Sequence, residues 1–128
     1  MKNLTFLLLL LFSYPVFSQK TTYADFEPGK NRPSPNDFIE YVASNGESFK
    51  IGGTIKINKP SGQSNVFQYI NKDVIGQTYT VDTDANGIVG EIIKFRVYGV
   101  SKKSGWEAVA VIKPNDGFRY QIELEQSI

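Results

Sequence analysis

The sequence of 128 residues contains no cysteine and no histidine. The missing cysteine excludes disulfide bonds, thiol nucleophiles and lipid attachment to a cysteine. The missing histidine excludes imidazole general bases, and the two absences together exclude zinc sites built on Cys and His. Any catalysis would therefore rest on carboxylates, lysine, tyrosine or serine.

Net charge is also nearly absent. The chain has 14 Lys and Arg against 13 Asp and Glu. Lys2 is the one basic residue among the first 18, so 13 basic and 13 acidic residues follow and cancel. Because binders of nucleic acids or anionic membranes usually carry a basic surplus, we expect no nucleic-acid partner.

The longest apolar run lies at the N-terminus. LTFLLLLLF follows Lys2 and is ended by Ser13, Tyr14 and Pro15. Because spanning a bilayer takes roughly 20 apolar residues, this shorter run is typical of a signal peptide. We expect residues 1–18 to be cleaved and the mature protein to be periplasmic or secreted, with neither a membrane span nor a lipoprotein anchor.

The mature chain is predicted to begin with a flexible leader over residues 19–33, since this segment is polar and contains Pro28-Gly29. A single domain is expected over residues 34–128. It would start with a helix from Pro35 to Ser44, because Ser34 suits an N-cap and the apolar residues of DFIEYV recur at helical spacing.

The remainder of the chain is patterned for β-strands. Alternation between Phe49 and Ile57 predicts a strand, which Gly52-Gly53 would bend. Short strands are expected at residues 66–70 and 78–81, with a loop between them. An antiparallel meander with one solvent-exposed face is predicted for three strands, at residues 91–100, 106–113 and 118–128. Its middle strand, EAVAVI, lacks alternation, so we expect both of its faces to be covered.

Five to six antiparallel strands in the last 80 residues are fewer than an immunoglobulin sandwich needs, which is roughly seven strands in 100 residues. The pattern fits a mainly β protein, a small SH3-like or OB-like barrel preceded by one short helix. Gly99 would supply a further corner for closure.

The segments FKIGGTIKINKPSG…VFQYI and IIKFRVYG…GWEAVAVI…YQIELEQSI resemble a domain of small exported and phage-associated proteins of the Bacteroidota. That domain opens with IGD-x-I-x-IG-x-PS and closes with I-x-I-E-x-AI. Gly53, Asn58 and Ser127 stand where its pattern has an acidic residue, a glycine and an alanine. The resemblance implies the barrel and an exported setting, and it implies no activity.

One motif suggests a metal site. Asp82, Asp84 and Asn86 match the first half of a D-x-D-x-N-G calcium loop, whose oxygen ligands wrap a hard cation. The twelfth position, where the loop needs a glutamate, is Ile93, and Glu91 comes two residues early. The alternative is a hairpin turn made of residues that tolerate positive φ, and we expect that turn and no metal cofactor.

Two surfaces are candidates for binding. The first is a basic strip that could hold a polyanion or could simply be a solvated face; its residues are Lys94, Arg96, Lys102, Lys103 and Arg119. The second is a set of aromatic residues that could form a peptide or glycan face or could fill the core; they are Tyr69, Tyr79, Tyr98, Trp106 and Tyr120. Tyr98 and Trp106 are the candidates for a binding face. Tyr98 lies two and four positions from Arg96 and Lys94 on one predicted strand, so these three side chains should point to the same face.

The sequence therefore predicts a non-enzymatic binding module of the cell envelope whose partner is an envelope component, a peptide or a glycan. A calcium-stabilised structural domain is one alternative. A small hydrolase that uses paired carboxylates is another, and it requires two acids to converge in a pocket. Asp82 with Asp84, and Glu123 with Glu125, are spaced to share one side of a strand.

Overall fold

The computed structural model describes residues 19–57, 67–74, 77–81 and 87–127, and over these ranges the protein is mainly β-structure. Nine strands are found there, with a 3-10 turn at Tyr23–Phe26 and one short helix, α1 (Leu124–Ser127). The strands are β1 (Lys20–Thr22), β2 (Glu40–Val42), β3 (Ser48–Lys50), β4 (Thr54–Lys56), β5 (Phe67–Val74), β6 (Gln77–Val81), β7 (Val89–Tyr98), β8 (Glu107–Lys113) and β9 (Arg119–Glu123). The residues of the predicted signal peptide lie outside these ranges.

The smaller sheet has the order β1-β2-β3 and includes part of the predicted leader. β1 pairs with β2 in parallel. Neither strand was predicted, because the antiparallel strands were expected only in the last 80 residues. Directly after β1, Phe26 lies in the core with 5% of its surface exposed. Residues 20–26 therefore contribute a strand and a core residue, while the division at residue 34 stays a prediction.

The predicted helix over Pro35–Ser44 is wrong, because β2 occupies Glu40–Val42. Ser34 and Pro35 open a tight turn instead, in which the Asp37 amide donates to the Ser34 carbonyl at 3.0 Å. A Ser-Pro pair suits the first two positions of such a turn as well as it suits a helix start. β2 then gains strand partners on both sides, which helical spacing within the segment could not reveal.

The predicted bend at Gly52-Gly53 is confirmed. β3 ends at Lys50 and β4 begins at Thr54, and the two strands belong to different sheets. Gly52 has φ of 89°, a conformation that only glycine adopts readily. Its amide donates to the Ile92 carbonyl at 2.9 Å, so the corner is tied to β7.

The larger sheet has the order β4-β7-β8-β9-β5-β6, and all of its neighbours are antiparallel. The predicted meander of β7, β8 and β9 is confirmed. In the described part of the chain no pairing joins β4 to β6, so this sheet does not close into a barrel. The described residues contain no helix long and apolar enough to cross a membrane.

Two strands of the larger sheet, β5 and β9, end at different residues from those that the sequence predicted. β5 continues through Asn71–Val74, which was expected to be a loop, and pairs there with β6. β9 ends at Glu123, and the chain turns into α1 where the strand was expected to continue. Leu124, the first residue of α1, is nevertheless buried, with 1% of its surface exposed.

The core lies between the inner face of the larger sheet and the smaller sheet. Its members from β7 are Ile92, Phe95 and Val97, and a bulge at Ile93 lets Ile92 and Phe95 face the same way. Phe38 stacks on Phe95 with ring centroids 5.2 Å apart. The other core residues are Phe26, Tyr41, Ala43, Ile57, Ile70, Ala108, Ala110, Ile112, Tyr120, Ile122 and Leu124.

The middle strand, β8, is covered on both faces, as predicted. Val109 and Val111 lie on the outer face, yet they are only 1% and 0% exposed. The cross-strand neighbours of Val109 are Arg96 and Glu123, and those of Val111 are Lys94 and Gln121. The apolar stems of such long side chains can cover a valine while their polar ends stay in water.

Candidate functional site

The calcium motif lies largely outside the described residues, since Asp82, Asp84 and Asn86 fall in the gap before β7. Glu91, its nearest acid, is exposed on β7. The described ranges contain no group of three or more acidic side chains placed to share a metal ion. The calcium hypothesis therefore stays a prediction.

The basic strip is divided between a sheet face and a loop. Lys94 and Arg96 lie on the outer face of β7, where the Arg96 Nη1 donates to the Tyr98 Oη at 3.3 Å. Lys102 and Lys103 are exposed in the loop after β7, and Arg119 opens β9. The strip therefore does not form one continuous row of cations.

The two aromatic candidates occupy different places. Tyr98 is 43% exposed on the outer face, as its parity predicted, and its Oη donates to the Gln121 Oε1 at 2.7 Å. Trp106 is half-buried at the end of the β7–β8 loop and packs against the core. Tyr120 is a core residue, and the side chains of Tyr69 and Tyr79 are outside the described set.

Trp106 is held by the 3-10 turn and by the segment that follows it. Its backbone amide donates to the Phe26 carbonyl, and its indole Nε1 donates to the Lys30 carbonyl, both at 2.9 Å. Gly99 lies directly against the indole, because a Cβ at Gly99 would stand 2.5 Å from the Trp106 Cε3. Trp106 is therefore fixed in position by two hydrogen bonds, one from its backbone and one from its indole, and by the close approach of the Gly99 backbone to the ring.

Beside Trp106 lies a cleft of about 240 Å³, which we call the Trp106 cleft. Its apolar wall contains Phe26, Pro28 and Trp106. Its polar wall comes from the first residue of β8 and from the C-terminal end of the chain, and consists of Glu107, Glu123, Glu125 and Gln126. An apolar wall facing a few convergent polar groups is the usual composition of a ligand site.

Glu107 and Glu123 are in contact in this cleft. They lie on neighbouring strands of one sheet face, and their side chains are within hydrogen-bonding reach. Burial raises the pKa of Glu123, and the charge of Glu107 and the bond between the two carboxyls raise that pKa further. Glu123 is therefore protonated more readily than an ordinary glutamate.

Glu125 differs from this pair because its charge is already satisfied. Its Oε1 accepts from the Tyr41 Oη at 2.6 Å and from the Ser44 amide at 2.9 Å, and its Oε2 accepts from the Ser44 Oγ. Burial acts to raise the pKa of Glu125, but the bonds from Ser44 and Tyr41 outweigh it, so that pKa lies below its ordinary value. Burial and, to a lesser extent, the same contact with Glu125 raise the pKa of Tyr41. Glu125 therefore stays anionic and ties α1 to the end of β2.

A second depression, of about 430 Å³, lies over residues 20–38. Two of its charged groups, Asp25 and Arg32, already have partners within the chain. Asp25 accepts from the Thr21 hydroxyl at 2.9 Å and from the Thr22 amide at 3.0 Å, and the Arg32 Nη2 donates to the Val97 carbonyl at 2.8 Å. We therefore regard the Trp106 cleft as the better ligand site.

Of the residues that line the Trp106 cleft, the sequence singled out Trp106 and the spacing of Glu123 and Glu125, but it did not connect Glu107 with them. The tight turn between β8 and β9 could have revealed that Glu107 lies near Glu123. Its length sets Val109 opposite Glu123, and this register places Glu107 diagonally beside Glu123.

Comparisons with protein-family models, with curated proteins and with solved structures find no match for this chain.

Proposed function

We propose that the protein is an exported, non-enzymatic binding module of the cell envelope and that the Trp106 cleft is its ligand site. The observation that carries this proposal is the fixed indole of Trp106, which lines one cleft together with carboxyl groups. Export is proposed from the pattern of residues 1–18.

The ligand we propose is a glycan. A rigid aromatic wall offers a flat apolar surface to a sugar ring, and the opposite wall offers acceptors and an amide to sugar hydroxyl groups. The cleft, at about 240 Å³, is smaller than the roughly 300–1,000 Å³ of pockets that enclose a whole small molecule. It therefore suits one residue of a longer chain.

We also propose that the chain is of the exported Bacteroidota type that it resembles, with a larger sheet that is an open relative of an SH3-like or OB-like barrel. The support is the corner at Ile51–Gly53, where the strand segment passes from one sheet to the other. Strands that change sheets at a bend are characteristic of small barrels and orthogonal packings.

The decisive experiment uses the single tryptophan of the sequence as its probe. Purified protein is titrated with a panel of peptidoglycan fragments and oligosaccharides while tryptophan fluorescence is recorded. We expect at least one glycan to change the emission of Trp106. In calorimetry Trp106→Ala should weaken that ligand about 30-fold or more, the scale of a lost aromatic anchor.

Tyr23→Ala is the matched control, since Tyr23 is an aromatic residue that is 44% exposed and does not line the cleft. It should bind the ligand as the unaltered protein does. If no glycan in the panel changes the fluorescence, or if Trp106→Ala binds as well as the control, the proposed site is wrong.

A second candidate function is favoured by one observation, the convergence of Glu107 and Glu123 in a cleft. A carboxylate-based hydrolase requires such a pair, one protonated and one ionised. The direct contact disfavours a glycosidase, whose two carboxyl groups stand roughly 5–9.5 Å apart to admit the sugar or a water. Hydrolysis of an ester or amide substituent of the bound glycan that is lost in both Glu107→Gln and Glu123→Gln would establish this candidate over simple binding.

A further inference from the structure

Tyr41 on β2 contacts both walls of the Trp106 cleft without lining it. The side chain is fully buried, with 0% of its surface exposed, and it is not among the described residues that line the cleft. Its ring packs edge to face on Phe26 of the apolar wall, with ring centroids 5.2 Å apart and planes at 90°. Its hydroxyl donates to the Oε1 of Glu125, in the polar wall, at 2.6 Å. One buried side chain therefore connects the two walls.

The polar wall needs this connection because α1 cannot hold its own position. α1 is a single turn of four residues, and a helix this short is unstable without outside contacts. Leu124 anchors it in the core, and the carboxylate of Glu125 anchors it through bonds from Tyr41 and from Ser44, just after β2. Glu125 and Gln126 line the cleft from this same turn, so these bonds determine where both side chains lie.

The apolar wall is joined to the same tyrosine. The Phe26 carbonyl accepts a hydrogen bond from the Trp106 backbone amide at 2.9 Å, and the Phe26 ring lies against Tyr41. A continuous series of contacts therefore leads from Trp106 through Phe26 and Tyr41 to Glu125. Because protein interiors are closely packed and barely compressible, such a series fixes the polar wall relative to the indole.

On the basis of the function proposed above, we infer that Tyr41 is a positioning residue of the Trp106 cleft, whose hydroxyl holds α1 where its polar side chains can meet a glycan that lies on Trp106. Without this hydroxyl, α1 would sample other positions. The apparent affinity falls with the fraction of molecules in the arrangement that can bind, so a wall that is in place in about one molecule in ten binds about tenfold more weakly.

The test measures binding by calorimetry, with the peptidoglycan fragments and oligosaccharides of the panel above as probes. Tyr41→Phe keeps the ring and its contact with Phe26 and loses the bond to Glu125, so we expect it to bind about tenfold more weakly. Ile92→Val is the matched control, because Ile92 is a core residue of β7 that is 1% exposed and does not line the cleft. It should also lose thermal stability, and yet bind as the unaltered protein does.

A double-mutant cycle distinguishes positioning from a general loss of stability. In the Glu125→Ala background the hydroxyl has no carboxylate to hold, so Tyr41→Phe should cause no further loss of affinity. An equal loss in both backgrounds would overturn the inference. Ser44→Ala removes another donor to the same carboxylate from outside the cleft, so it tests the position of α1 even if Tyr41→Phe does not fold. It should weaken the same ligand, and unchanged binding would contradict the role of these bonds.

NMR relaxation of the protein without ligand tests the positioning independently of any glycan. We expect the backbone order parameters of Glu125 and Gln126 to fall from the rigid range near about 0.85 to below about 0.6 in Tyr41→Phe, and to stay high in Ile92→Val. Unchanged order parameters, or unchanged affinity in Tyr41→Phe, would overturn the role of Tyr41 while leaving the glycan site intact. If no member of the panel binds the unaltered protein, the proposed function itself is overturned, so the two failures are distinguishable.

Discussion

Gly99 shows how one residue can shape the Trp106 cleft through the absence of a side chain. A Cβ at this position would lie 2.5 Å from the Trp106 Cε3 and 2.7 Å from the Gly105 carbonyl oxygen. The second neighbour is backbone, so it cannot rotate away as a side chain would. The sequence marked Gly99 as a corner of the sheet, but the close approach to Trp106 depends on the path of the loop after β7.

We expect Gly99→Ala to lower the free energy of unfolding by about 1–3 kcal/mol, the usual cost of overpacking a filled site, and to shift the emission of Trp106 because the indole must move. Denaturant unfolding followed by tryptophan fluorescence measures both effects. Val100→Ala is the neighbouring control. Val100 is 97% exposed, so its truncation should change stability by less than about 0.5 kcal/mol, and an equal loss in both variants would contradict the packing argument.

At the scale of the elements, the outcome of each prediction depended on whether its partners were close in sequence. The meander of β7, β8 and β9 was predictable because short turns join strands with a clear pattern. β2 was not, because its parallel partner β1 comes from a segment whose composition indicates a leader. Phe38, Tyr41 and Val42 suit a helix face by spacing alone, and the tertiary pairing overrides that preference.

The Trp106 cleft was less predictable than the sheet for the same reason. Trp106 was recognisable as a candidate, since exposed aromatic residues often mark binding faces. The contact of Glu107 with Glu123 required the register of β8 and β9, and the anchoring of Trp106 by Phe26 and Lys30 required the fold of residues that the sequence assigned to the leader.

The short helix α1 depends on Glu125, which makes the contact to Tyr41 and Ser44 across 84 and 81 positions of sequence. We expect Glu125→Gln to lower the free energy of unfolding at neutral pH by about 1–2 kcal/mol, because the hydrogen bonds lose their charged acceptor. Glu91→Gln, an exposed acid on β7, serves as the control and should be nearly neutral.

This loss should depend on pH with a definite sign. The pKa of Glu125 is lowered in the folded state, so its contribution is complete above the pKa of the unfolded chain and declines as the pH falls through the folded value. The difference between Glu125→Gln and the unaltered protein should therefore shrink in acid. Thermal unfolding between pH 7 and roughly pH 3 measures this trend, and a difference that grows in acid would contradict the assignment.

At the scale of the whole molecule, the core requires residues from both ends of the described part of the chain. Phe26 meets Phe38 and Tyr41 edge to face, with ring centroids 6.1 and 5.2 Å apart. Leu124, at the other end of the chain, is a member of the same cluster. The predicted domain over residues 34–128 would lack the first of these contributors and the whole of β1.

We therefore expect a chain that starts at residue 34 to lose cooperative unfolding, while Phe26→Ala in the full chain should cost about 3–5 kcal/mol, the usual range for a buried phenylalanine. Small domains have roughly 5–15 kcal/mol of stability in total, so the point variant should remain folded at low temperature and the truncated chain should not.

Tyr23→Ala is the control within the same turn, since Tyr23 is 44% exposed and lies outside the core cluster. Thermal unfolding followed by circular dichroism compares the three proteins. A truncated chain that melts as sharply and at the same temperature as the full chain would show that residues 19–33 are a leader after all and that the smaller sheet does not depend on β1.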